Sequence, residues 1–144
     1  MAKDKPDPSV MAGPIPYLAY AGKANAALEF YARAFGATHL DRMPFADAPD
    51  RLMHAQCVIN GGAFMLTDHV NEGSTAPAPA IGGHLQLVVN DGRMWMDRAL
   101  AAGCTEVVPF ARQDWGDEWG MVSDPFGLLW AVLQPGPHNF EDSN

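Results

Sequence analysis

The stretch Trp115–Val132, WGDEWGMVSDPFGLLWAV, decides how the rest of the chain is to be read. Within it, Asp124-Pro125-Phe126-Gly127 has the make-up of a β-turn. Asp at the first position can bond nearby backbone, Pro at the second presets φ, and Gly at the fourth is permissive. The flanking segments Gly120–Ser123 and Leu128–Leu133 are then the two strands of a hairpin. Leu128–Leu133 is apolar throughout, which predicts burial on both faces. The aromatic-rich approach suggests a pocket wall, whereas Trp130, on the apolar strand, fits core packing against a helix.

Upstream, the same kinds of element recur. Ile15–Ala21 reads as a short strand, and Lys23–Phe35 as a helix with Ala24, Ala27, Leu28, Tyr31, Ala34 and Phe35 on one face. Gly36 is placed to close it, and only Gly22 or Asn25 offer an N-cap. His39–Phe45 has strand character. Leu52–Ile59 alternates, with Met53, Ala55, Cys57 and Ile59 on one face and His54, Gln56 and Val58 on the other. Asn60-Gly61-Gly62 is a hairpin signal leading into a strand at Ala63–Thr67. After a Gly-, Ser- and Pro-containing stretch the order restarts: strand His84–Val89, N-cap Asn90 or Asp91, helix Gly92–Ala102 closed by Gly103, and strand Glu106–Phe110. Trp95 falls at core spacing with Ala99 and Ala102. Each half reads strand, helix, strand, strand, strand, so the chain is a duplicated βαβββ unit of the α+β class. The domain reading is a flexible N-terminus at 1–13, a first module at 14–67, a linker at 68–83, a second module at 84–134 and a flexible tail at 135–144.

Composition narrows the function classes. The 144 residues are 48% hydrophobic, enough for a core. A net charge of −8 argues against nucleic acid and against an anionic membrane surface, both of which need clustered positive charge. No apolar run approaches the roughly 18 residues that span a bilayer, and the first residues, MAKDKPDPSV, lack the apolar core of a signal peptide. A cytoplasmic protein is the expectation. Cys57 and Cys104 stand in apolar surroundings without CxxC spacing, as buried thiols rather than a disulfide or a zinc pair. There is no GxSxG, P-loop or post-strand GxGxxG.

Several runs of residues together resemble the vicinal oxygen chelate superfamily, the glyoxalase, bleomycin-resistance and dioxygenase group. They are Pro16-Tyr17-Leu18, Ala27-Leu28-Glu29-Phe30-Tyr31 and Phe35-Gly36, then Met53-His54-Ala55, Gly61-Gly62 and Met65-Leu66-Thr67-Asp68. Trp115-Gly116-Asp117 with Gly120, and Asp124-Pro125-Phe126-Gly127 with Trp130, complete the set. The resemblance spans about residues 14–134 and is strongest to the PhnB-like branch. It implies two tandem βαβββ modules with mixed sheets curved around a concave site, the glyoxalase-like fold, within a homodimer.

Many members of the superfamily hold a divalent metal in that concavity through His, Gln or Glu on the first and last strands of the modules, and the metal acts as a Lewis acid. His84 matches one such position. The others fall on Pro16 (or Tyr17, one residue along), on Met65, and on Ala131, four residues past Gly127. The resemblance therefore implies no metal ligand set in the usual place and no cofactor, with a displaced divalent-metal site as the alternative. The pairs His54/Gln56 and His84/Gln86 each share a strand face and are expected to face the concavity. They can serve as a polar ligand floor, as ordinary hydrogen bonding within the sheet, or as acid/base chemistry centred on His84 or His54. Trp115 and Trp119 are candidates for stacking on a ligand or closing the pocket mouth, with a dimer interface as the alternative. Asp117 and Glu118 beside them would repel anions.

Two function classes remain. One is a metal-independent binder of a small molecule, using His54, Gln56, His84, Gln86, Trp115 and Trp119. The other is a lyase, isomerase or dioxygenase of the same superfamily, using a displaced metal or a His base. Fold alone does not choose between them.

Overall fold

The computed structural model describes residues 15–68 and 83–137. Its elements run β1 (Tyr17–Ala19), α1 (Ala24–Phe35), β2 (Thr38–Pro44), β3 (Leu52–Ile59) and β4 (Gly62–Thr67). They continue with β5 (Leu85–Val88), α2 (Gly92–Ala102), β6 (Thr105–Arg112), β7 (Glu118–Ser123) and β8 (Leu129–Gln134). This is the expected α+β order, strand-helix-strand-strand-strand, written twice. The segments 1–13 and 138–144, and most of the 68–83 stretch, lie outside the described residues.

Each module forms its own four-stranded mixed sheet, ordered β1-β4-β3-β2 in the first and β5-β8-β7-β6 in the second. In both, the outer strand runs parallel to the module's last strand, and the remaining pairs are antiparallel. A parallel partner requires a crossover, and here the helix of the following sequence supplies it. Two compact units result, the first built on β1–β4 and most of α1, the second on α2 and β5–β8 together with Arg33–Phe35.

All six residues of the predicted α1 stripe are at most 2% exposed, and the first four of them belong to the first unit. There the sheet buries Ala55, Cys57, Phe64 and Leu66, and Tyr31 stands edge-on to Phe64 with ring centroids 5.9 Å apart. Gly36 closes the helix in the left-handed region at φ 65, its N–H on the Tyr31 carbonyl. The start of the helix corrects the sequence reading. Neither Gly22 nor Asn25 caps it; the N-cap position is Lys23, with no side-chain cap of its own. The fully buried Asp68 does the work from the end of β4. Its Oδ1 accepts from the Gly22 and Ala24 N–H groups (2.7 and 3.0 Å) and its Oδ2 from the Leu52 N–H (2.8 Å). β1 is also shorter than expected, because Ala21 and Gly22 adopt positive φ (51 and 93) and end the extended run. Asn60 and Gly61 take φ 51 and 76, as a two-residue hairpin turn of type I′ requires.

In the second unit α2 begins at the predicted Asp91, whose Oδ1 accepts from the Met94 N–H at 3.2 Å. Gln134, at the end of β8, accepts from the Gly92 N–H at 2.9 Å, a distant counterpart of Asp68. The Asp124 turn forms as read. Its Oδ1 accepts from Phe126 and Leu128 N–H (2.8 and 2.9 Å), and its Oδ2 from the Trp130 indole (2.9 Å). Trp130 is 1% exposed and lies against Phe35, ring centroids 4.7 Å apart. β7 starts earlier than expected and takes in Trp119, paired with Leu133 and Ala111. Gly120 faces an irregularity in β6; a Cβ there would lie 2.8 Å from the Phe110 Cα. Among the described residues no helix is long and apolar enough to cross a membrane.

Replacing Asp68 by Ala should strand two buried N–H donors and one part-buried one and cost about 3 kcal/mol, read from urea unfolding followed by circular dichroism. Asp68→Asn, which retains a carbonyl oxygen, should cost less. Equal stability of Asp68→Ala and the parent would contradict this role.

Candidate ligand-binding site

Residues paired across a sheet project to the same side, so the register assigns the faces. In the first unit Tyr17 pairs with Met65, Met65 with Gln56, and Gln56 with Leu40. These side chains, with His54 two positions from Gln56, stand on the face opposite α1. Tyr17 rather than Pro16 is therefore the β1 residue opposite Met65. The Tyr17 hydroxyl lies 2.6 Å from the His54 Nδ1, with the rings 5.6 Å apart and tilted. Gln56 is buried at 1% exposure, while His54 is half-buried.

Beside this pair opens a cleft of about 490 Å³ lined by Tyr17, Phe45, Met53 and Thr67. Sequence alternation put Met53 in the core with Ala55, yet it is 47% exposed. The β2–β3 ladder breaks register around Met43, with Asp41 at φ 52, so this end of β3 lies outside regular core packing and Met53 enters the cleft. Phe45 and Thr67 were not anticipated either. Phe45 ends a run that looks like an ordinary strand, and Thr67 reads as a simple alternating position. The proximity of the Asn60-Gly61 turn partner strand to Tyr17 is visible only once the parallel β1–β4 register is known.

In the second unit Gln86 pairs with Ala131 and Ala131 with Met121, while Val88 pairs with Leu133 and Leu133 with Trp119. Leu87, Trp130, Val132 and Val122 take the opposite, buried face. On the open face the structure gathers four of the candidate residues. The Trp119 indole N–H points at the Gln86 Oε1 at 3.4 Å, and the His84 Nε2 approaches the same oxygen at 3.4 Å. The His84 and Trp119 rings meet edge-on at 6.2 Å, and Trp115 meets Trp119 at 6.3 Å. Both contacts to Gln86 exceed the usual 2.7–3.2 Å of a firm N–H···O bond, which leaves its carbonyl open to competition by a ligand. Trp115 is 55% exposed and sits in a tight loop held by the Gln113 N–H on the Asp117 carbonyl (2.8 Å) and the Gly116 N–H on that of Gln113 (3.0 Å).

The expected acidic rim is a correction. Asp117 is 7% exposed, and its Oδ1 accepts from the Gly136 N–H at 2.8 Å; Glu118 pairs with Gln134 and so projects away from the Trp119 face. Neither carboxylate is arrayed beside the indoles to select ligand charge.

The superfamily's metal can be tested against the residues present. The first unit offers Tyr17 and Met65 opposite one another, and the second offers Gln86 and Ala131, with His84 two residues before Gln86. A thioether and a methyl group are not donors for a hard divalent ion. Among the described residues no three His, Cys, Asp or Glu side chains come together in a way that could hold one. The residues do not fit the group in its family position.

The duplicated module, the parallel outer strands and the open-face pairs define a glyoxalase-type protein. The chain belongs to the glyoxalase/bleomycin resistance protein/dioxygenase superfamily, whose profile matches residues 15–132. It is 40% identical over 118 residues to an uncharacterized protein of Mycobacterium tuberculosis, an alignment covering 78% of this chain and 68% of that one. Among solved structures, a Pseudomonas aeruginosa protein superposes with a TM-score of 0.69 at 27% identity, covering 87% of this chain and 98% of the other. A PhnB protein from Bacillus cereus shares the fold, with a TM-score of 0.66 at 20% identity and coverages of 86% and 100%.

Both cysteines are free and buried. Burial pushes the Cys57 thiol up to about 12, and burial with the nearby Asp124 carboxylate takes Cys104 to about 12 as well. The thiolate is the reactive form. The folded protein should therefore resist Ellman's reagent at neutral to mildly alkaline pH and react at both positions once unfolded in guanidinium. Rapid labelling of the folded chain would contradict the assignment.

Proposed function

We propose that this chain is a small-molecule-binding member of its superfamily that engages its ligand through aromatic and amide side chains rather than a metal. The observation that carries the reading is the open-face cluster of Trp115, Trp119, His84 and Gln86, with an indole N–H and an imidazole converging on one loosely held amide oxygen. Indole faces supply stacking area at low entropic cost, and a few polar groups fix orientation. A flat aromatic molecule bearing a hydrogen-bond donor suits that arrangement, the donor displacing the long contacts at the Gln86 Oε1. With Asp117 turned inward, a preference for cations has no local basis, so neutral and cationic ligands belong in the same panel.

A second reading is catalysis by a His base. The short Tyr17–His54 contact favours it, since a histidine held by a hydroxyl is oriented for proton transfer. Turnover of a panel compound that disappears in His54→Ala would select this reading over binding alone.

The binding reading is tested by titrating tryptophan fluorescence with planar aromatics, aromatic cations and glycopeptides. A saturable change is expected, weakened about threefold to tenfold in Trp115→Ala and in Trp119→Ala, the range for loss of one aromatic contact. Trp130, buried against Asp124, serves as the internal sign that each variant is folded. An unchanged titration in both variants would remove Trp115 and Trp119 from the site.

A further inference from the structure

We propose that Gln113 is the positioning residue of the Trp115–Trp119 pair: its side-chain amide ties the loop that carries Trp115 to the strand that carries Trp119. The inference rests on the reading of these two indoles as ligand contacts and adds a residue from outside their cluster. Gln113 directly follows β6, and Trp119 is the second residue of β7. The Gln113 Nε2 donates to the Ala111 carbonyl at 3.0 Å and to the Trp119 carbonyl at 3.3 Å. The first is a firm bond and the second a weaker one, just past the usual range. Both partners are acceptors only, so the amide nitrogen is the one end of the side chain that can serve them. Ala111 and Trp119 stand opposite one another in the β6–β7 ladder, so one amide spans the strand pair at the indole.

Closing the turn around Trp115 does not by itself call for that amide. The Gln113 N–H donates to the Asp117 carbonyl (2.8 Å), the Gly116 N–H donates to the Gln113 carbonyl (3.0 Å), and Gly116 takes φ 101. Backbone bonds thus already shape the turn. At its far end the Asp117 Oδ1, on the Gly136 N–H at 2.8 Å, ties it to the chain beyond β8. The Gln113 side chain adds the remaining link, from the near end of the turn to the strand pair. At the tip Trp115 is 55% exposed and meets Trp119 at 6.3 Å, with the ring planes 67° apart. An indole so exposed takes its orientation from the backbone that carries it. Holding that backbone before a ligand arrives removes part of the ordering cost from binding.

Two indoles this close and this steeply inclined couple their ultraviolet transitions and give a bisignate circular-dichroism band that neither gives alone. Subtracting the spectrum of each chain's Trp115→Phe counterpart isolates that band. The parent should show it. Gln113→Ala, and Gln113→Glu with the same shape but no donor, should lose most of it, while Gln113→Lys, whose ammonium can donate to both carbonyls, should keep it. Urea unfolding should stay cooperative in every variant. For a ligand detected by the fluorescence titration, Gln113→Ala should weaken affinity about threefold to tenfold, the cost of ordering one such side chain on binding. A full-sized band in Gln113→Ala and Gln113→Glu, no band in the parent, or unchanged affinity in Gln113→Ala would overturn the proposal. So would a band lost equally in Gln113→Lys, which assigns the effect to shape, or loss of cooperative unfolding, which makes Gln113 a residue of the fold alone. The band needs no ligand, so a titration silent in the parent removes the binding reading while the band still decides what Gln113 does.

Discussion

A single carboxylate organises the first module. Asp68 leaves β4 fully buried and accepts three backbone N–H groups, two from the entry to α1 and one from the first residue of β3. A helix start carries unsatisfied donors that need partners, and the local sequence around Lys23 supplies none. Because the partner comes from the end of the sheet, helix and sheet are tied at one point. The adjoining backbone bonds, Tyr20 N–H to the Thr67 carbonyl and Met65 N–H to that of Pro16, then set β1 in register on β4. That register brings Tyr17 to the face where His54 stands. The second module repeats the logic with a neutral group, Gln134, because Asp91 already caps α2.

The two modules use this common frame differently. On the first open face a phenol that contacts an imidazole borders an apolar cleft. On the second, two indoles and an imidazole surround an amide. At the positions where relatives hold a cation, one module has a thioether opposite a phenol and the other a methyl group opposite an amide. Those groups contribute polarizable and apolar surface, which suits recognition of an organic molecule better than coordination.

The periodic features were legible in the residues alone. The α1 stripe, the β3 span, the α2 bounds and the Asp124 and Asn60-Gly61 turns rest on local rules of spacing, φ preference and short side-chain bonds, which operate within a few residues. Apart from the early end of β1 at Ala21 and Gly22, the misreadings involve contacts that local pattern does not show. Asp68 sits more than forty residues from the helix it caps. Met53 follows the alternation but meets a broken ladder, and Asp117 looks like a rim charge until its bond to the Gly136 N–H is seen. Of the candidate site, the pairing of His84 with Gln86 could be read from alternation, as could the prominence of Trp115 and Trp119. The approach of His84 and Trp119 to one oxygen of Gln86, and the cleft of Tyr17, Phe45, Met53 and Thr67, depend on strand register, which no local pattern specifies.

The central proposal is that these open faces bind an organic ligand without a metal. Elemental analysis of protein purified without chelator, paired with ligand titration before and after EDTA, measures this. Metal well below one equivalent per chain, and binding unchanged by EDTA, is the predicted result. Stoichiometric Ni, Zn, Fe or Mn that is lost in His84→Ala, with ligand binding lost alongside it, would contradict the account.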